Sequence, residues 1–146
     1  MTTKTATGVH AEELVRMHVD FFNQRKLQEG ERHIHSDCEW TVVPFGETFR
    51  GPKGYRDSGQ MWIDAFPDAK CEVVRVIAQG DAAVVEFRGK GTHKGSLKGP
   101  KGPIAPTGKH VDIPIVEVYE FKDDKVHRGR TYFDTATMMR QLGIGS

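Results

Sequence analysis

The chain has 146 residues, 28% of them charged, and a net charge of +1. That length fits one domain with its own hydrophobic core, and the balanced charge excludes a global attraction to nucleic acid or to a membrane surface. The two cysteines, Cys38 and Cys71, are far apart and lack a metal-type spacing. No apolar run approaches the roughly 20 residues of a membrane span, and the N-terminus lacks the apolar core of a signal peptide. We therefore expect a cytoplasmic protein.

The N-terminal part of the chain is predicted to be helical. We expect residues 1–9 to be loose and a single domain to cover 10–144. From His10 onward, apolar side chains recur at helical spacing, and His18 falls on the same stripe. A histidine there is either a packed core residue or one directed into a cavity under the helix. A short second helix is expected within the polar segment 23–37.

The next segment alternates between strand and helix signals. Residues 38–43 carry strand formers, which places Trp40 on a strand, and Pro44 ends that strand. A turn at 51–54 precedes a helix over 55–66, which ends before Pro67.

The second half is predicted to form strands. A turn at Gly80 separates segments 70–78 and 82–91, and a second turn separates segments 111–121 and 126–133. Pro114 cannot donate to a neighbouring strand, so a bulge or an unpaired edge is expected there. Helices followed by a run of strands favour an α+β fold, with helices packed on one face of a curved antiparallel sheet.

A long segment rich in glycine and proline, residues 94–109, separates the two hairpins. Its four lysines lack a phosphate-loop signature and interleaved aromatic residues, which argues against phosphate or nucleic-acid binding. Long loops of this kind are usually lids or binding loops. We expect either a mobile lid or a contact with a partner subunit.

The last strand carries the main candidate for a catalytic group. Alternation along a strand places Arg128, Arg130, Tyr132 and Asp134 on one face, together with Val126. An acid beside a phenol and a guanidinium suits proton transfer, and an apolar pocket would raise its pKa toward neutrality. The alternative is structural, because Asp134 directly precedes a predicted helix and would cap it.

The pairing of this strand with its neighbour brings in a second carboxyl group. A two-residue loop at 123–124 sets Glu117 opposite Arg130 and Ile115 opposite Tyr132. If that face lines a cavity, the ion pair is shielded from water and constrains the protonation of its neighbours. If the face is solvated, the pair is an ordinary surface salt bridge.

Histidines supply the remaining candidates. His93 follows the inward-facing positions of its strand and lies at the mouth of the 94–109 loop, where it either reaches a ligand or has no role. His33 and His35 lie near Asp37 and Cys38, but no second ligand cluster follows, so no metal is predicted. No organic cofactor is predicted either.

Several short motifs occur in a fixed order along the chain: Ala65-Phe66-Pro67-Asp68, Ala78-Gln79-Gly80-Asp81, Gly91-Thr92-His93-Lys94-Gly95, Pro106-Thr107-Gly108-Lys109, Tyr132-Phe133-Asp134 and Arg140-Gln141-Leu142-Gly143. This ordered set resembles the SnoaL-like polyketide cyclase (ester cyclase-like) family of the nuclear transport factor 2-like superfamily. The resemblance implies a cone-shaped α+β fold, in which a strongly curved antiparallel or mixed sheet wraps around N-terminal helices and encloses a deep apolar pocket. It also implies homodimers or tetramers joined through the outer face of the sheet.

The resemblance implies a cofactor-independent reaction on a small hydrophobic molecule. In such cyclases an aspartate at the end of the last long strand is the acid and base of an intramolecular aldol ring closure, and Asp134 matches that position. The substrate-binding candidates are His18, Trp40, His93, Glu117, Arg130 and Tyr132.

Two other functions are considered. The first is a non-catalytic small-molecule-binding or assembly module of the same fold, since fold does not determine function. The second is epoxide hydrolysis, because the Tyr132-Phe133-Asp134 ending is similar to that of the limonene epoxide hydrolases of the same superfamily. That chemistry is less favoured, because Arg88 is followed two residues later by Lys90 and not by an acid.

Overall fold

The computed structural model describes residues 8–99 and 101–145. The helices are α1 (Gly8–Asn23), α2 (Leu27–Glu31), α3 (Gly51–Ala65) and α4 (Thr135–Gln141), and a short 3₁₀ helix spans Val43–Phe45. The strands are β1 (Ile34–Val42), β2 (Glu47–Arg50), β3 (Lys70–Gln79), β4 (Ala82–Thr92), β5 (Leu97–Gly99), β6 (Gly102–Ile104), β7 (His110–Lys122) and β8 (Lys125–Phe133). The segment 1–9, predicted to be loose, lies outside the described residues except for its last two, which begin α1.

The main sheet has six strands in the order β2-β1-β8-β7-β4-β3. Neighbouring strands pair antiparallel, except for β1 and β8, which pair parallel, so the curved sheet is mixed. The α+β prediction is confirmed, including the helices on one face. Along β4 the predicted inward positions Val85, Phe87 and Gly91 are buried.

No helix of the described part of the chain is both long enough and apolar enough to cross a membrane.

The β7–β8 hairpin turns on two aspartates. Asp123 and Asp124 have φ angles of 53° and 61°, and Lys122 pairs with Lys125. A two-residue turn with positive φ at both positions matches the twist of the flanking strands. The predicted centre of this hairpin is therefore confirmed.

One extra residue in β8 changes the register beyond the turn. Phe121 pairs with Val126 as predicted, but Glu120 then pairs with Arg128, so His127 has no counterpart. Such a bulge reverses the face taken by every later side chain of the strand. Glu117 consequently lies opposite Thr131, and the predicted pairing with Arg130 is wrong.

The same shift applies at the end of the strand. Ile115 lies opposite Phe133 and not opposite Tyr132. Pro114 pairs with Arg88 of β4, while its other side lies beyond the last paired residue of β8. Of the two outcomes expected at Pro114, the unpaired edge is the correct one.

The 94–109 segment contains the small β5–β6 hairpin. Its start is attached to the end of α3, where the amides of Lys94 and Gly95 donate to the carbonyl of Ala65 at 3.0 and 3.1 Å. Leu97 is fully buried in a core cluster with residues of β7 and α4. Whether this segment opens as a lid or contacts a partner remains a prediction.

Candidate active site

An apolar cavity of about 160 Å³ lies between the inner face of the sheet and the helices. Aromatic and aliphatic side chains from every layer form most of its wall. The polar side chains that reach it form a small set: His18, Tyr55, Ser58, Lys70, Lys90, Glu117, Tyr119 and Thr131, with the indole of Trp40. A mostly apolar cavity with a few convergent polar groups is the usual form of a small-molecule site.

Glu117 is the carboxyl group of this cavity. It lies on β7, and its two oxygens accept hydrogen bonds from the Thr131 hydroxyl at 2.8 Å and the Tyr119 hydroxyl at 3.1 Å. Burial raises the pKa of Glu117 to about 7, and the two hydroxyl donors offset only part of that effect. Both protonation states are therefore well populated at neutral pH, as acid and base catalysis requires.

Trp40 fixes the direction of one of these hydrogen bonds. Its indole Nε1 donates to Thr131 Oγ1 at 2.8 Å. Because an indole N–H can only donate, the single hydroxyl proton of Thr131 is left to point at Glu117. The indole packs on Gly129, where a Cβ atom would lie 2.0 Å from Trp40 Cε3. Gly129 therefore provides the space that the indole occupies.

The helical wall contributes His18 from α1 and Tyr55 from α3. His18 is 3% exposed, and burial, with a smaller contribution from nearby His33, lowers its pKa to about 3, so the imidazole is neutral. Burial, and then the charge of Glu117, raises the pKa of the Tyr55 phenol above its ordinary value. Among the described residues, no hydrogen-bond partner is found for either ring nitrogen of His18 or for the Tyr55 hydroxyl.

Asp134 does not lie in this cavity. It is exposed at the start of α4, where its carboxylate accepts from the amide of Ala136 at 3.0 Å and from the hydroxyl of Thr137 at 2.7 Å. The hydrogen bond from Thr137 leads the effects that lower its pKa. The prediction that Asp134 faces a pocket is wrong in its geometry, and the structure places it as a helix cap.

Arg130 and Tyr132 also lie on the outer face. Arg130 donates to Glu120 at 3.2 Å, and Tyr132 is 41% exposed. Neither residue is part of the cavity wall, and a contact of either with a substrate stays a prediction. The bulge at His127 turns them away and turns Thr131 inward.

His93 is fully buried but lies away from the cavity wall. Its ring packs on Phe66, and its Nδ1 accepts from the amide of Thr107 at 3.1 Å. His93 therefore fastens the end of the 94–109 segment and is not part of the cavity wall, and its contact with a substrate stays a prediction. Of the predicted binding residues, the structure brings together His18, Trp40 and Glu117.

Other chemistries find little support in the geometry. Across residues 8–99 and 101–145, no group of three or more histidines, cysteines or acids is arranged to hold a metal ion. Burial raises the pKa of the Cys38 thiol to about 11, which disfavours a thiolate nucleophile. Arg88 forms an ion pair of 2.6 Å with Asp112 outside the cavity lining, so it does not supply the epoxide hydrolase arrangement.

Tyr55, Tyr119 and Thr131 were missed from the sequence. Tyr119 lies two residues beyond Glu117 on the same strand, so alternation alone places both on one face. Tyr55 begins a predicted helix and carries no local signal of a cavity. Regular alternation along β8 predicts that Thr131 lies on the face opposite to Arg128 and Tyr132, and the bulge is what turns that face toward the cavity.

The sequence profile described as SnoaL-like polyketide cyclase matches residues 12–142. No curated protein matches the sequence at a significant level.

Solved structures share the fold at low sequence identity. A proposed SnoaL-like polyketide cyclase from Jannaschia sp. CCS1 is 18% identical with a TM-score of 0.84, covering 100% of both chains. AclR, a proposed hydroxylase from Streptomyces galilaeus, is 22% identical with a TM-score of 0.78, covering 94% of this chain and 98% of its own. A protein with a ketosteroid isomerase-like fold from Catenulispora acidiphila DSM 44928 is 12% identical with a TM-score of 0.77, covering 91% and 94%. These likenesses establish the fold.

Proposed function

Because the chain belongs to the SnoaL-like polyketide cyclase family, we propose that it catalyses ring closure or isomerisation of a small carbonyl compound by proton transfer, with Glu117 as acid and base. The observation that carries the proposal is the position of the Glu117 carboxyl group in the wall of an apolar cavity, where burial raises its pKa to about 7. A pKa near the working pH gives a group both roles in one catalytic cycle.

In the proposed cycle Glu117 takes one proton from the substrate and later returns one to it. The Glu117 carboxylate removes a proton from the carbon beside a carbonyl, and the electron pair of that C–H bond forms an enolate. In ring closure the enolate carbon attacks a second carbonyl of the same molecule, and the new alkoxide takes the proton from Glu117. In isomerisation the proton returns to another carbon.

The neighbours of Glu117 have positioning roles in this proposal. The hydroxyls of Thr131 and Tyr119 hold the carboxyl group in one orientation, and the indole of Trp40 holds Thr131. A group held this way loses little entropy when it reacts, which is a general advantage of preorganised sites. The apolar wall keeps water from competing for the proton.

The size of the cavity indicates the size of the substrate part that it encloses. Its volume is about 160 Å³, and engineered cavities of roughly 150 Å³ hold one benzene molecule. The cavity therefore encloses about one ring of a substrate. The apolar lining favours a hydrophobic ring system over a sugar or a nucleotide.

A test of this proposal measures proton exchange directly. The protein is incubated in D₂O with small methyl ketones such as acetophenone, and deuterium uptake beside the carbonyl is followed by proton NMR. We expect the wild type to accelerate uptake and Glu117→Gln to lose that acceleration. Asp134→Asn is the matched control, since it removes a carboxylate at the surface and should leave the rate unchanged.

The outcomes separate the proposed enzyme from a binding module. If Glu117→Gln exchanges protons as fast as the wild type while remaining folded, Glu117 is not the acid and base. Loss of exchange in Asp134→Asn with full exchange in Glu117→Gln would favour the sequence-based assignment. Binding of the ketones without accelerated exchange in the wild type would favour a non-catalytic binding protein.

A further inference from the structure

Gly89 lies inside β4, on the inner face of the sheet, and lines the cavity. A glycine in the middle of a strand weakens the strand and often marks a place where another group approaches closely. The backbone does not require glycine here, since Gly89 is not among the glycines with positive φ. A Cβ atom at this position would lie 2.5 Å from Ile115 Cδ1. The missing side chain therefore provides the space that Ile115 occupies.

Ile115 is a central residue of the cavity wall. It lies on β7 two residues before Glu117, so both side chains are on the same face, and both line the cavity. Among the partly buried apolar residues that the structure describes, Ile115 alone packs against both core clusters, the one that contains Tyr119 and the one that contains Phe66. Part of its surface stays accessible although it lies on the inner face. The side chain of Ile115 therefore limits the space close to Glu117.

We propose that Ile115 determines the size of the ring system that the cavity accepts, and that Gly89 positions Ile115 for this role. With glycine at position 89, the end of the Ile115 side chain lies over β4 and leaves room for one ring. The bulk of Ile115 excludes a second fused ring. This inference rests on the proposed function, since it names the size class of the substrate that the same cavity takes.

The surroundings of Ile115 determine where its side chain goes if position 89 is filled. Phe87 is its partner on β4 and Phe133 is its partner on β8, so aromatic side chains lie on both sides of it. Ile113, which is buried, precedes it on the same face. The atom that must move is a terminal methyl group, which can change position without a shift of the backbone. A Cβ atom at position 89 would therefore turn Ile115 toward the cavity and leave the strand intact.

The size of the cavity supports a limit of one ring. Its volume is about 160 Å³, and close-packed walls accept additional atoms only at the cost of strain. Replacing Ile115 by alanine removes an ethyl and a methyl group from the wall. The space that these groups leave stays largely open, because the surrounding side chains relax only in part. It is close in size to the part of a naphthalene ring system that extends beyond benzene.

Two methyl ketones test this size limit. Acetophenone and 2-acetonaphthone carry the same acetyl group, the first on one ring and the second on two fused rings. Dissociation constants for both are measured by NMR titration of the wild type, Ile115→Ala, Gly89→Ala and the double variant. We expect the wild type to bind acetophenone about tenfold more tightly, since the larger ketone overpacks the cavity. In Ile115→Ala this preference should reverse.

The double variant shows whether Gly89 acts through Ile115. Gly89→Ala alone should weaken acetophenone binding about tenfold. With alanine at both positions, acetophenone should bind at least as tightly as to the wild type, because no long side chain remains to be displaced. A glycine that only supports the strand would not show this coupling. Ile104→Ala is the matched control: Ile104 packs on a core cluster outside the cavity lining, so the wild-type preference should persist.

Several results would contradict this inference. Equal binding of the two ketones by the wild type, or no binding of either, would overturn it, as would an Ile115→Ala variant that still prefers acetophenone. Unchanged acetophenone binding in Gly89→Ala, with the melting temperature showing a folded protein, would exclude the positioning role of Gly89. If Ile115→Ala does not fold, Ile115→Val replaces it and should reduce the preference to about threefold.

The readout is binding, so it separates this inference from the proposed function. If the ketones bind with the expected size preference while Glu117→Gln keeps full proton exchange, the proposed function fails and the size limit stands. If Glu117→Gln loses exchange but the wild type binds both ketones equally, the proposed function stands and the size limit fails.

Discussion

Thr131 lies directly opposite Glu117 in the β7–β8 pairing, and its hydroxyl donates a 2.8 Å hydrogen bond to the buried carboxyl group. The same oxygen accepts the indole proton of Trp40. Thr131 therefore connects the first strand of the chain to the carboxyl group in the cavity. Three strands, β1, β7 and β8, thus contribute to the geometry at one carboxyl group.

Replacing Thr131 by valine should raise the pKa of Glu117 further. Valine keeps the shape of threonine but removes the donor that stabilises the carboxylate, and it leaves the indole N–H of Trp40 without its acceptor. We expect a loss of about 1 kcal/mol of stability. Titration of the ¹³C-labelled glutamate carboxyl groups by NMR measures the pKa.

Thr41→Val is the matched control, because its hydroxyl pairs with Thr48 at the exposed end of the sheet. It should leave the titration of Glu117 unchanged. A fall of that pKa in Thr131→Val would contradict the role given to Thr131.

The stability contribution of Glu117 should decrease as the pH rises. Its pKa is raised from 4.5 to about 7 in the folded state, so the folded protein holds the proton more tightly than the unfolded chain does. This contribution is fully present below pH 4.5 and is lost by about pH 7. Its size is on the order of 3 kcal/mol.

The contribution of His18 to stability changes with pH in the opposite direction. Its pKa falls from 6.5 to about 3 on folding, so its contribution is complete above pH 6.5 and is lost as the pH falls toward 3. Denaturant unfolding of the wild type and Glu117→Gln from pH 4.5 to pH 7 separates the two effects. The difference in unfolding free energy should fall toward higher pH, and a constant difference would contradict the raised pKa.

Gly129→Ala should displace the indole of Trp40. An added Cβ atom would lie 2.0 Å from Trp40 Cε3, a distance that forces the ring or the strand to move. Overpacking of this kind costs about 1–3 kcal/mol. Gly145→Ala makes the same chemical change where nothing lies within 4 Å of the new atom, and it should leave the melting temperature unchanged. Thermal unfolding compares the two variants, and similar melting temperatures would contradict the predicted clash.

Asp134 should affect stability and leave proton exchange intact. Asp134→Ala removes the cap of α4 and should cost about 1 kcal/mol, while Asp134→Asn retains a capping side chain and should cost less. Chemical denaturation measures both variants. A rate of ketone exchange that falls in both, with the fold preserved, would show that Asp134 has a role beyond the cap.

The outer face of the sheet is expected to bind a second copy of this chain. Tyr132 on β8 and Ile77 on β3 are 41% and 59% exposed, and Val116 and Val118 lie between them on the same face. We predict a mass of twice the chain by light scattering, and a shift to monomer in Ile77→Lys. Gln28→Lys, on an exposed position of α2, should leave the mass unchanged. A monomeric wild type would contradict the expectation.

Much of the framework follows from the sequence because it depends on local chemistry. The aspartates of the β7–β8 turn and the alternation of Val85 and Phe87 are short-range signals, and both were interpreted correctly. The alternation along β7 also predicts that Glu117 shares a face with Ile113 and Ile115, and all three line the cavity. This strand is regular in its pairing with β4, so the period of two holds there.

The candidate site was only partly predictable because β8 is irregular. The residues that face inward after His127 are Gly129, Thr131 and Phe133, of which only the last is strongly apolar. Hydrophobic alternation therefore gives no sign of the reversal. The bulge depends on contacts with both neighbouring strands, and the pairing with β1 is irregular in the same region. Such contacts between distant segments are not visible in a local pattern.

The extra residue at His127 has a consequence for how this cavity could change over time. Substitutions alter the wall one side chain at a time, but loss of one residue of β8 between His127 and Thr131, with the bulge kept, would exchange the inner row that follows for its outer row. The carboxyl group on β7 would then face Arg130 and Tyr132 in place of Thr131. Insertions and deletions at this point of the strand, more than point mutations, are thus a direct way to give the same fold a different chemistry.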